Sequence, residues 1–445
     1  MKFPIRKLVA TMSIAMLGLT ACSGGEGNKA AEEPKSNEPV TLDFWHSSSG
    51  AAGDHLNKLI EEFNKSHEGK ITIKGSYQGS YEDAISKFIA SVQSGKLPAL
   101  LQASDVQTTY LKDSGLIVPA GDLAKEDKGY SFDSLIPAVT NYYTIENKVY
   151  SMPAMISLPT LYVNEEMLQK AGVSADSLKT TEGLLAGVKK IKEATGKAGI
   201  TFHQNGWFME QFAASLGVHW CTPENGVKGK PGDAFNLEDS KIKGFWGNIG
   251  KLYASGAVAN PGKDGSVAAG AFTSGEAAIL LNSSGVMGNI FKANPSFKWT
   301  TIPLPRDNAQ SGSVPGGNSI WAVKEGHSKA EQKAAWEFMK FIGSEKSQKS
   351  IFTASGYLPT VKSAASSLTD IKPQQASMLK QLESNPVNTI TAGCHTGALN
   401  DARKSYGAAI SELSNGVSVD DAFKKAKAGT ETAINDYKKR SGKKN

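Results

Sequence analysis

Several features of catalytic, metal-binding and nucleic-acid-binding proteins are missing from this sequence of 445 residues. Its 49 basic residues exceed the 43 acidic ones by only six, which does not indicate a nucleic-acid-binding protein. Its seven histidines and three cysteines show no spacing typical of a metal site. No nucleophile elbow, phosphate-binding loop or dinucleotide fingerprint is present either. We therefore expect no cofactor, no metal and no enzymatic activity.

Long apolar runs are also missing after the first 21 residues. No later segment approaches the roughly 18 uninterrupted apolar residues that a membrane-spanning helix requires. Residues 1–21 have the layout of a secretory signal peptide, because Lys2, Arg6 and Lys7 precede a short apolar run. The sequence therefore predicts an exported protein.

The apolar run leads into Leu19-Thr20-Ala21-Cys22, which resembles the cleavage box of bacterial lipoproteins. In that class the signal peptide is cut before a cysteine that becomes lipid-modified. We predict lipidation at Cys22 and a flexible tether over residues 22–39, whose polar composition cannot bury apolar area. The alternative is an ordinary signal peptide followed by a chance cysteine. Lipidation would give a membrane-anchored protein that faces the periplasm or the outside of the cell.

The two later cysteines, Cys221 and Cys394, have no CxxC spacing. In an oxidising compartment they could form one disulfide, or they could be two buried thiols. The sequence leaves both alternatives open, because it does not place the two Cα atoms within bridging distance.

Arginine is scarce, since only four of the 49 basic residues are arginines. Arg6 belongs to the signal peptide and Arg440 to the basic tail over residues 438–445, which we interpret as a solvated end. Arg306 and Arg403 are thus the candidates for bidentate capture of a phosphate or carboxylate, which a planar guanidinium does better than lysine. The alternative for each is a surface ion pair.

From Val40 onward, short apolar segments alternate with helical spacing, which predicts an α/β fold. Residues 54–67 and 180–194 have apolar residues at helical intervals. Ser80 with Asp83, and Ser328 with Glu331, are typical of capping boxes that open helices. In the helix after Ser80, we expect Ile85, Phe88, Ile89 and Val92 to face the core.

A set of ordered motifs covers most of the mature chain. The motifs are Phe44-Trp45-His46-Ser47, Ser80-Tyr81-Glu82, Pro98-Ala99-Leu100-Leu101-Gln102, Asn282-Ser283-Ser284-Gly285, Gly316-Gly317 and Ser355-Gly356-Tyr357-Leu358-Pro359. Together they resemble the extracellular solute-binding proteins of bacterial ABC importers, and most closely the branch that binds sn-glycerol 3-phosphate.

This resemblance implies a two-lobe, periplasmic-binding-protein-like α/β fold with a hinge and an interlobe ligand cleft. We expect residues 40–150 and 284–323 in the N-terminal lobe, and residues 151–283 and 324–437 in the C-terminal lobe. The implied partners are a phosphorylated glycerol ligand and the permease subunits of an ABC importer in the membrane. We expect a monomer that binds no nucleic acid.

The resemblance also implies a ligand site. Its expected members are Tyr81, Asp105, Ser157, Trp207, Ser283, Gly317, Tyr357 and Arg403. The arginine, phenols, serines and glycine amide suit a phosphoryl group, whereas Asp105 is acceptor-only and is expected at the hydroxyl end of the ligand. A second tryptophan is expected three residues before Trp207, but Gln204 stands there, so one wall of the pocket is expected to be polar and open enough for a glycerophosphodiester.

Three functions remain as alternatives. The first is capture of sn-glycerol 3-phosphate or its diesters for an importer. The second is capture of an oligosaccharide by the same fold. The third is a secreted phosphodiesterase, which would need a metal cluster or an activated nucleophile that the sequence does not show.

Overall fold

The computed structural model describes residues 38–442. The predicted signal peptide, the lipidation site Cys22 and the tether up to residue 37 lie outside this range, as do residues 443–445 of the basic tail. Within residues 38–442, no helix combines the length and apolar character needed to cross a membrane.

The strands of the described part are short and are distributed over the whole chain. They are β1 Val40–His46, β2 Ile71–Tyr77, β3 Leu100–Ser104, β4 Ile117–Val118, β5 Thr144–Ile145, β6 Lys148–Val149, β7 Met152–Ser157, β8 Pro159–Asn164, β9 Ala198–Thr201, β10 Cys221–Thr222, β11 Ala234–Phe235, β12 Val258–Ala259, β13 Ala277–Ser283, β14 Trp299–Pro303 and β15 Gly316–Val323.

Helices lie between most of these strands and form the C-terminal region. They are α1 Gly50–Ser66, α2 Tyr81–Ser94, α3 Thr108–Ser114, α4 Ala120–Glu126, α5 Pro137–Tyr143, α6 Glu165–Lys170, α7 Thr181–Thr195, α8 Trp207–Ser215, α9 Ser240–Ala254, α10 Gly265–Thr273, α11 Met287–Ala293, α12 Lys329–Ile342, α13 Glu345–Ser355, α14 Lys362–Ser366, α15 Pro373–Glu383, α16 Leu399–Ser414 and α17 Val419–Ser441. Short 3-10 segments lie at Asp105–Gln107, Phe132–Ser134, Ala175–Leu178, Glu224–Gly226 and Ser284–Val286.

The first lobe is built on a sheet with strand order β2-β1-β3-β15-β4, to which β7 is added by pairing with β15. β1 is parallel to β2 and β3, whereas β15 is antiparallel to its neighbours. Phe44 of β1 and Phe63 of α1 both meet Phe338 of α12 edge to face, with ring centroids 5.4 and 5.2 Å apart. These contacts form the core under this sheet.

The second lobe is built on a sheet with strand order β12-β9-β13-β8-β14. Its largest apolar cluster joins this sheet to α8, α9, α16 and α17, and includes Phe212, Trp246, Tyr406 and Phe423. The two sheets are connected where β7 passes into β8 with only Leu158 between them. This arrangement confirms the predicted two-lobe α/β fold.

The observed sheets differ from the predicted lobe boundaries. β14 lies within residues 284–323 but belongs to the second sheet, and β7 lies within residues 151–283 but belongs to the first sheet. α12 lies within residues 324–437, yet it packs against β1 and β15 of the first lobe. The chain therefore crosses between the lobes more often than predicted. Long-range strand pairing decides to which sheet each strand belongs.

The helices that local patterns predict over residues 54–67 and 180–194, after Ser80 and after Ser328 correspond to α1, α7, α2 and α12. The capping boxes of Ser80 with Asp83 and of Ser328 with Glu331 are both present. The predicted inner face of α2 is half wrong, because Ile85 and Phe88 are buried whereas Ile89 and Val92 are 44% and 41% exposed. α2 covers the sheet with a narrower apolar stripe than its sequence suggests.

Cys221 and Cys394 form a disulfide, with their Cα atoms 5.6 Å apart. Cys221 begins β10 in the second lobe, and Cys394 lies in the segment before α16. The bond therefore ties the approach to α16 to the lobe that α16 covers, and it resolves the alternative that the sequence left open.

Candidate functional site

The centre of the candidate site is an arginine held by two carboxylates. Arg403 lies in the first turns of α16, and its Nε and Nη2 each donate to an oxygen of Glu210 at 2.7 Å. Nη2 also donates to Oδ2 of Asp105 at 2.9 Å. The three side chains are 15%, 5% and 8% exposed, for Arg403, Glu210 and Asp105 respectively. This is a buried, bidentate ion-pair cluster of the kind that fixes a guanidinium in one orientation.

The cluster joins the two lobes. Asp105 directly follows β3 of the first lobe, whereas Glu210 and Arg403 lie on α8 and α16 of the second. Gly206, just before α8, allows the close approach of these helices, since a Cβ there would lie 2.7 Å from the carbonyl oxygen of Arg403. The Arg403–Asp105 pair thus spans the cleft between the lobes.

Burial and the neighbouring charges shift the pKa values of Arg403 and Glu210. Burial on its own lowers the pKa of Arg403, but the negative charges of Glu210 and then Asp105 outweigh it, so this pKa lies well above its ordinary value. Burial raises the pKa of Glu210, and the positive charge of Arg403 opposes that rise. The hydroxyl of Tyr406 donates a further, short hydrogen bond to Glu210.

Tyrosines surround the first-lobe side of the cluster. Tyr81 begins α2, and its hydroxyl accepts a hydrogen bond from Nδ2 of Asn318 on β15 at 2.8 Å. Burial, followed by the proximity of Tyr357, raises the pKa of Tyr81 well above its ordinary value. Burial likewise raises the pKa of Tyr357. Both phenols therefore keep their protons at neutral pH and can act as donors as well as acceptors.

A second group of predicted residues lies where β7 and β15 pair. Ser157 is opposite Gly316, and Gly317 is opposite Ile156. Gly317 has φ of +101°, and a Cβ on it would lie 2.0 Å from the carbonyl oxygen of Met155, so only glycine fits. The indole of Trp207 lies over Gly316, with Nε1 3.0 Å from the position of a Cβ there.

Ser283 ends β13, directly beside the crossover between the lobes. Its hydroxyl accepts a hydrogen bond from the backbone N–H of Gly285 at 3.1 Å and so caps the 3-10 turn that follows. The ring of Tyr357 packs against Gly285, since a Cβ there would lie 2.6 Å from Cζ of Tyr357. This turn connects Ser283 to the tyrosine side of the cluster.

Contacts or adjacent positions link the predicted residues. Asp105 contacts Arg403, Tyr81 lies beside Tyr357, and Ser283 is joined to Tyr357 through Gly285. Trp207 lies over Gly316, which pairs with Ser157 and precedes Gly317. Within residues 38–442, no group of three His, Cys, Asp or Glu side chains could hold a metal ion.

Gln204 is not part of this group. Its amide donates to Asn260 at 2.8 Å and to Ser414 at 3.0 Å. Ser414 ends α16, eleven residues after Arg403, which corresponds to about 16 Å along the helix. The expectation that Gln204 forms a wall beside Trp207 is thus wrong for this structure, because its hydrogen bonds hold it at the far end of α16.

Arg306 is also separate from the site. It donates to the carbonyl oxygens of Ser311 and Ser384 at 2.9 and 3.1 Å, so it holds loops together. Of the two arginines that scarcity singled out, only Arg403 lies in the interlobe region.

Asp105, which is expected at the hydroxyl end of the ligand, contacts Arg403 directly. Its contact with a solute stays a prediction. A buried carboxylate needs a counter-charge, and the nearest one is this guanidinium. The sequence interpretation also missed Glu210, although a lone acidic residue in the apolar helix Trp207–Ser215 was a usable signal.

Comparisons with known proteins show what this chain is similar to. A family model described as bacterial extracellular solute-binding protein matches residues 58–381. The sn-glycerol-3-phosphate-binding periplasmic protein of Rhizobium meliloti is 32% identical over 330 residues, which cover 73% of this chain and 76% of that protein.

Solved structures share the fold. The UgpB protein of Mycobacterium tuberculosis, in complex with glycerophosphocholine, aligns with a TM-score of 0.76 at 18% identity and covers 89% of this chain and 99% of that one. The sugar-binding protein MalE of Xanthomonas citri aligns with a TM-score of 0.72 at 16% identity and covers 91% and 100%. At these identities the likenesses show the two-lobe fold alone.

Proposed function

Because the chain belongs to the family of bacterial extracellular solute-binding proteins, which serve ABC importers, we propose that its solute is sn-glycerol 3-phosphate or a glycerophosphodiester. The solute would bind between the lobes and be delivered to a membrane permease when the closed protein docks. No cofactor takes part in this function.

The observation that carries this proposal is the position of Arg403. It is a buried guanidinium at the junction of the lobes, and its Nη1 donates no hydrogen bond to the described residues. Planar guanidinium groups suit phosphoryl oxygens. Tyr81 and Tyr357 add hydroxyl donors to the same region.

Further support comes from the relatives. The protein of Rhizobium meliloti is named for binding sn-glycerol 3-phosphate and is similar over three quarters of both chains. Glycerophosphocholine is the ligand of the Mycobacterium tuberculosis protein that shares the fold. The proposal takes both ligand types together as phosphate esters of glycerol.

Thermal unfolding with and without ligand tests the proposal. A ligand at about 100 times its Kd stabilises the folded state by about 2.7 kcal/mol, so Tm should rise with at least one glycerophosphate and stay unchanged with maltose. Arg403→Lys keeps the positive charge but loses the planar fork, and it should abolish most of the rise. A rise with maltose alone would favour the oligosaccharide alternative.

Catalysis is the third alternative and is tested in the same samples. A phosphodiesterase would hydrolyse glycerophosphocholine to glycerol 3-phosphate and choline, or to glycerol and phosphocholine, whereas a binding protein returns it unchanged. We expect none of these products on prolonged incubation.

We also propose that the protein is an exported monomer anchored to the membrane by lipid at Cys22. The support is the Leu19-Thr20-Ala21-Cys22 box together with the charged start and apolar run before it. Cys22→Ser should move the protein from the membrane fraction to the soluble fraction of cells. Membrane retention of this variant would contradict anchoring through Cys22.

A further inference from the structure

The buried cluster has one more negative charge than positive charges. Glu210 and Asp105 both pair with Arg403, and no second cation of the described residues lies within ion-pair distance of either carboxylate. Formally the cluster carries −1. An anionic solute beside Arg403 is therefore repelled by the net negative charge of the cluster.

The hydrogen bonds of Glu210 are those of a carboxylate acceptor. Its carboxylate accepts from Nε and Nη2 of Arg403 and from the hydroxyl of Tyr406. Three donors on one carboxylate favour the charged form against the cost of burial. Glu210 is only 4% exposed, so it acts on a solute through Arg403.

We propose that Glu210 is a positioning residue that determines specificity: by matching the charge of Arg403, it makes the site prefer phosphodiesters of glycerol to the monoester. This inference rests on the proposed function and names the solute class within it. A phosphomonoester carries about −1.5 to −2 near pH 7, whereas a phosphodiester carries a single negative charge. The excess negative charge of the cluster repels the monoester more strongly.

The test measures how affinity depends on ligand charge at nearly constant ligand size. The ligands are sn-glycerol 3-phosphate, its methyl phosphodiester and glycerophosphocholine, titrated calorimetrically into the non-lipidated Cys22→Ser protein near pH 7. In the protein with Glu210 intact, we expect the methyl diester to bind at least about tenfold more tightly than the monoester, which is about 1.4 kcal/mol.

Glu210→Gln in the same background should reduce this preference by about tenfold, mainly because the monoester gains affinity. Asp401→Asn is the matched control. It removes one negative charge from α16, the helix of Arg403, but Asp401 pairs with Lys404 and Arg440 and does not contact Arg403. This control should leave the ratio of affinities unchanged.

The outcomes separate the inference from the proposed function. If the protein with Glu210 intact binds the monoester as tightly as its methyl diester, the inference is overturned and the proposed function stands. If Glu210→Gln changes all three affinities by one common factor, Glu210 is merely structural and the inference is overturned as well. Absence of binding to all three ligands overturns the proposed function itself. The comparison of monoester with methyl diester needs no variant at Glu210, so it decides the matter even if Glu210→Gln does not fold.

Discussion

Removal of the Arg403 guanidinium would leave two buried carboxylates without their counter-charge. In Arg403→Ala, Asp105 and Glu210 lose three charge-assisted hydrogen bonds of 2.7 to 2.9 Å. Loss of one partner from a buried ion pair typically costs about 3–5 kcal/mol. We expect the free energy of unfolding to fall by that amount near pH 7, measured by urea denaturation followed by circular dichroism.

The pH dependence of this loss gives the prediction its sharpest form. Burial already raises the pKa of Glu210, and Arg403 is the main group that opposes the rise. Without the guanidinium, the folded-state pKa rises further above the unfolded value. A carboxyl with a raised folded-state pKa destabilises the protein fully above that pKa, and the penalty declines as pH falls from the folded-state pKa to the unfolded one. The difference in unfolding free energy between wild type and variant should therefore shrink as pH is lowered from 7 towards about 4.3, the ordinary pKa of a glutamate.

Arg306→Ala is the matched control, because Arg306 donates only to main-chain carbonyls in the described structure. We expect it to cost about 1 kcal/mol with little dependence on pH. An Arg403→Ala loss no larger than that of the control would refute the buried-pair reasoning. A loss that grows on acidification would refute the charge assignment of Glu210.

Three further changes test other parts of the structure. Gly317→Ala should lower the unfolding free energy by at least about 2 kcal/mol, because the added Cβ would lie 2.0 Å from a carbonyl oxygen. Gly196→Ala is the control for backbone strain alone, because Gly196 has φ of +74° and no atom within 4 Å of an added Cβ. Reduction of the Cys221–Cys394 disulfide, which joins residues 173 apart, should cost about 2–4 kcal/mol in urea denaturation, and an unchanged midpoint would contradict this. Burial lowers the pKa of His395 to about 4. The unfolded chain therefore binds a proton first as pH falls below about 6.5. The stability that neutral His395 contributes is lost as pH falls from about 6.5 to about 4. Over this pH range, the free energy of unfolding of His395→Asn should fall by up to about 3 kcal/mol less than that of wild type.

Local sequence patterns were sufficient for several helices but not for the assembly of the fold. Apolar residues at helical intervals indicate α1 and α12. The capping box at Ser328 also marks the start of α12, whereas α1 begins at Gly50, four residues before its predicted start, with no side-chain cap. The membership of β7 and β14 in one sheet or the other depends on partners more than a hundred residues away along the chain. No local pattern encodes such pairing, which is why the predicted lobe boundaries differ from the observed ones.

The candidate site likewise depends on contacts that no local pattern encodes. The resemblance to a family named eight candidate residues, and their contact with a solute stays a prediction. It could not show that Asp105 contacts Arg403, because that contact joins the segment after β3 to α16. Nor could it show that Glu210 holds the same guanidinium, because that contact arises from the packing of α8 against α16. Gln204 was assigned by its spacing from Trp207, but hydrogen bonds with Asn260 and Ser414 decide its position.

Calorimetric titration of the Cys22→Ser protein with sn-glycerol 3-phosphate, glycerophosphocholine and maltose tests the proposed solute most directly. We expect saturable one-to-one binding of at least one glycerophosphate and no heat of binding with maltose. Binding of maltose together with no response to either glycerophosphate would contradict the assignment of Arg403 to a phosphate ester and would make this chain an oligosaccharide-binding member of its family.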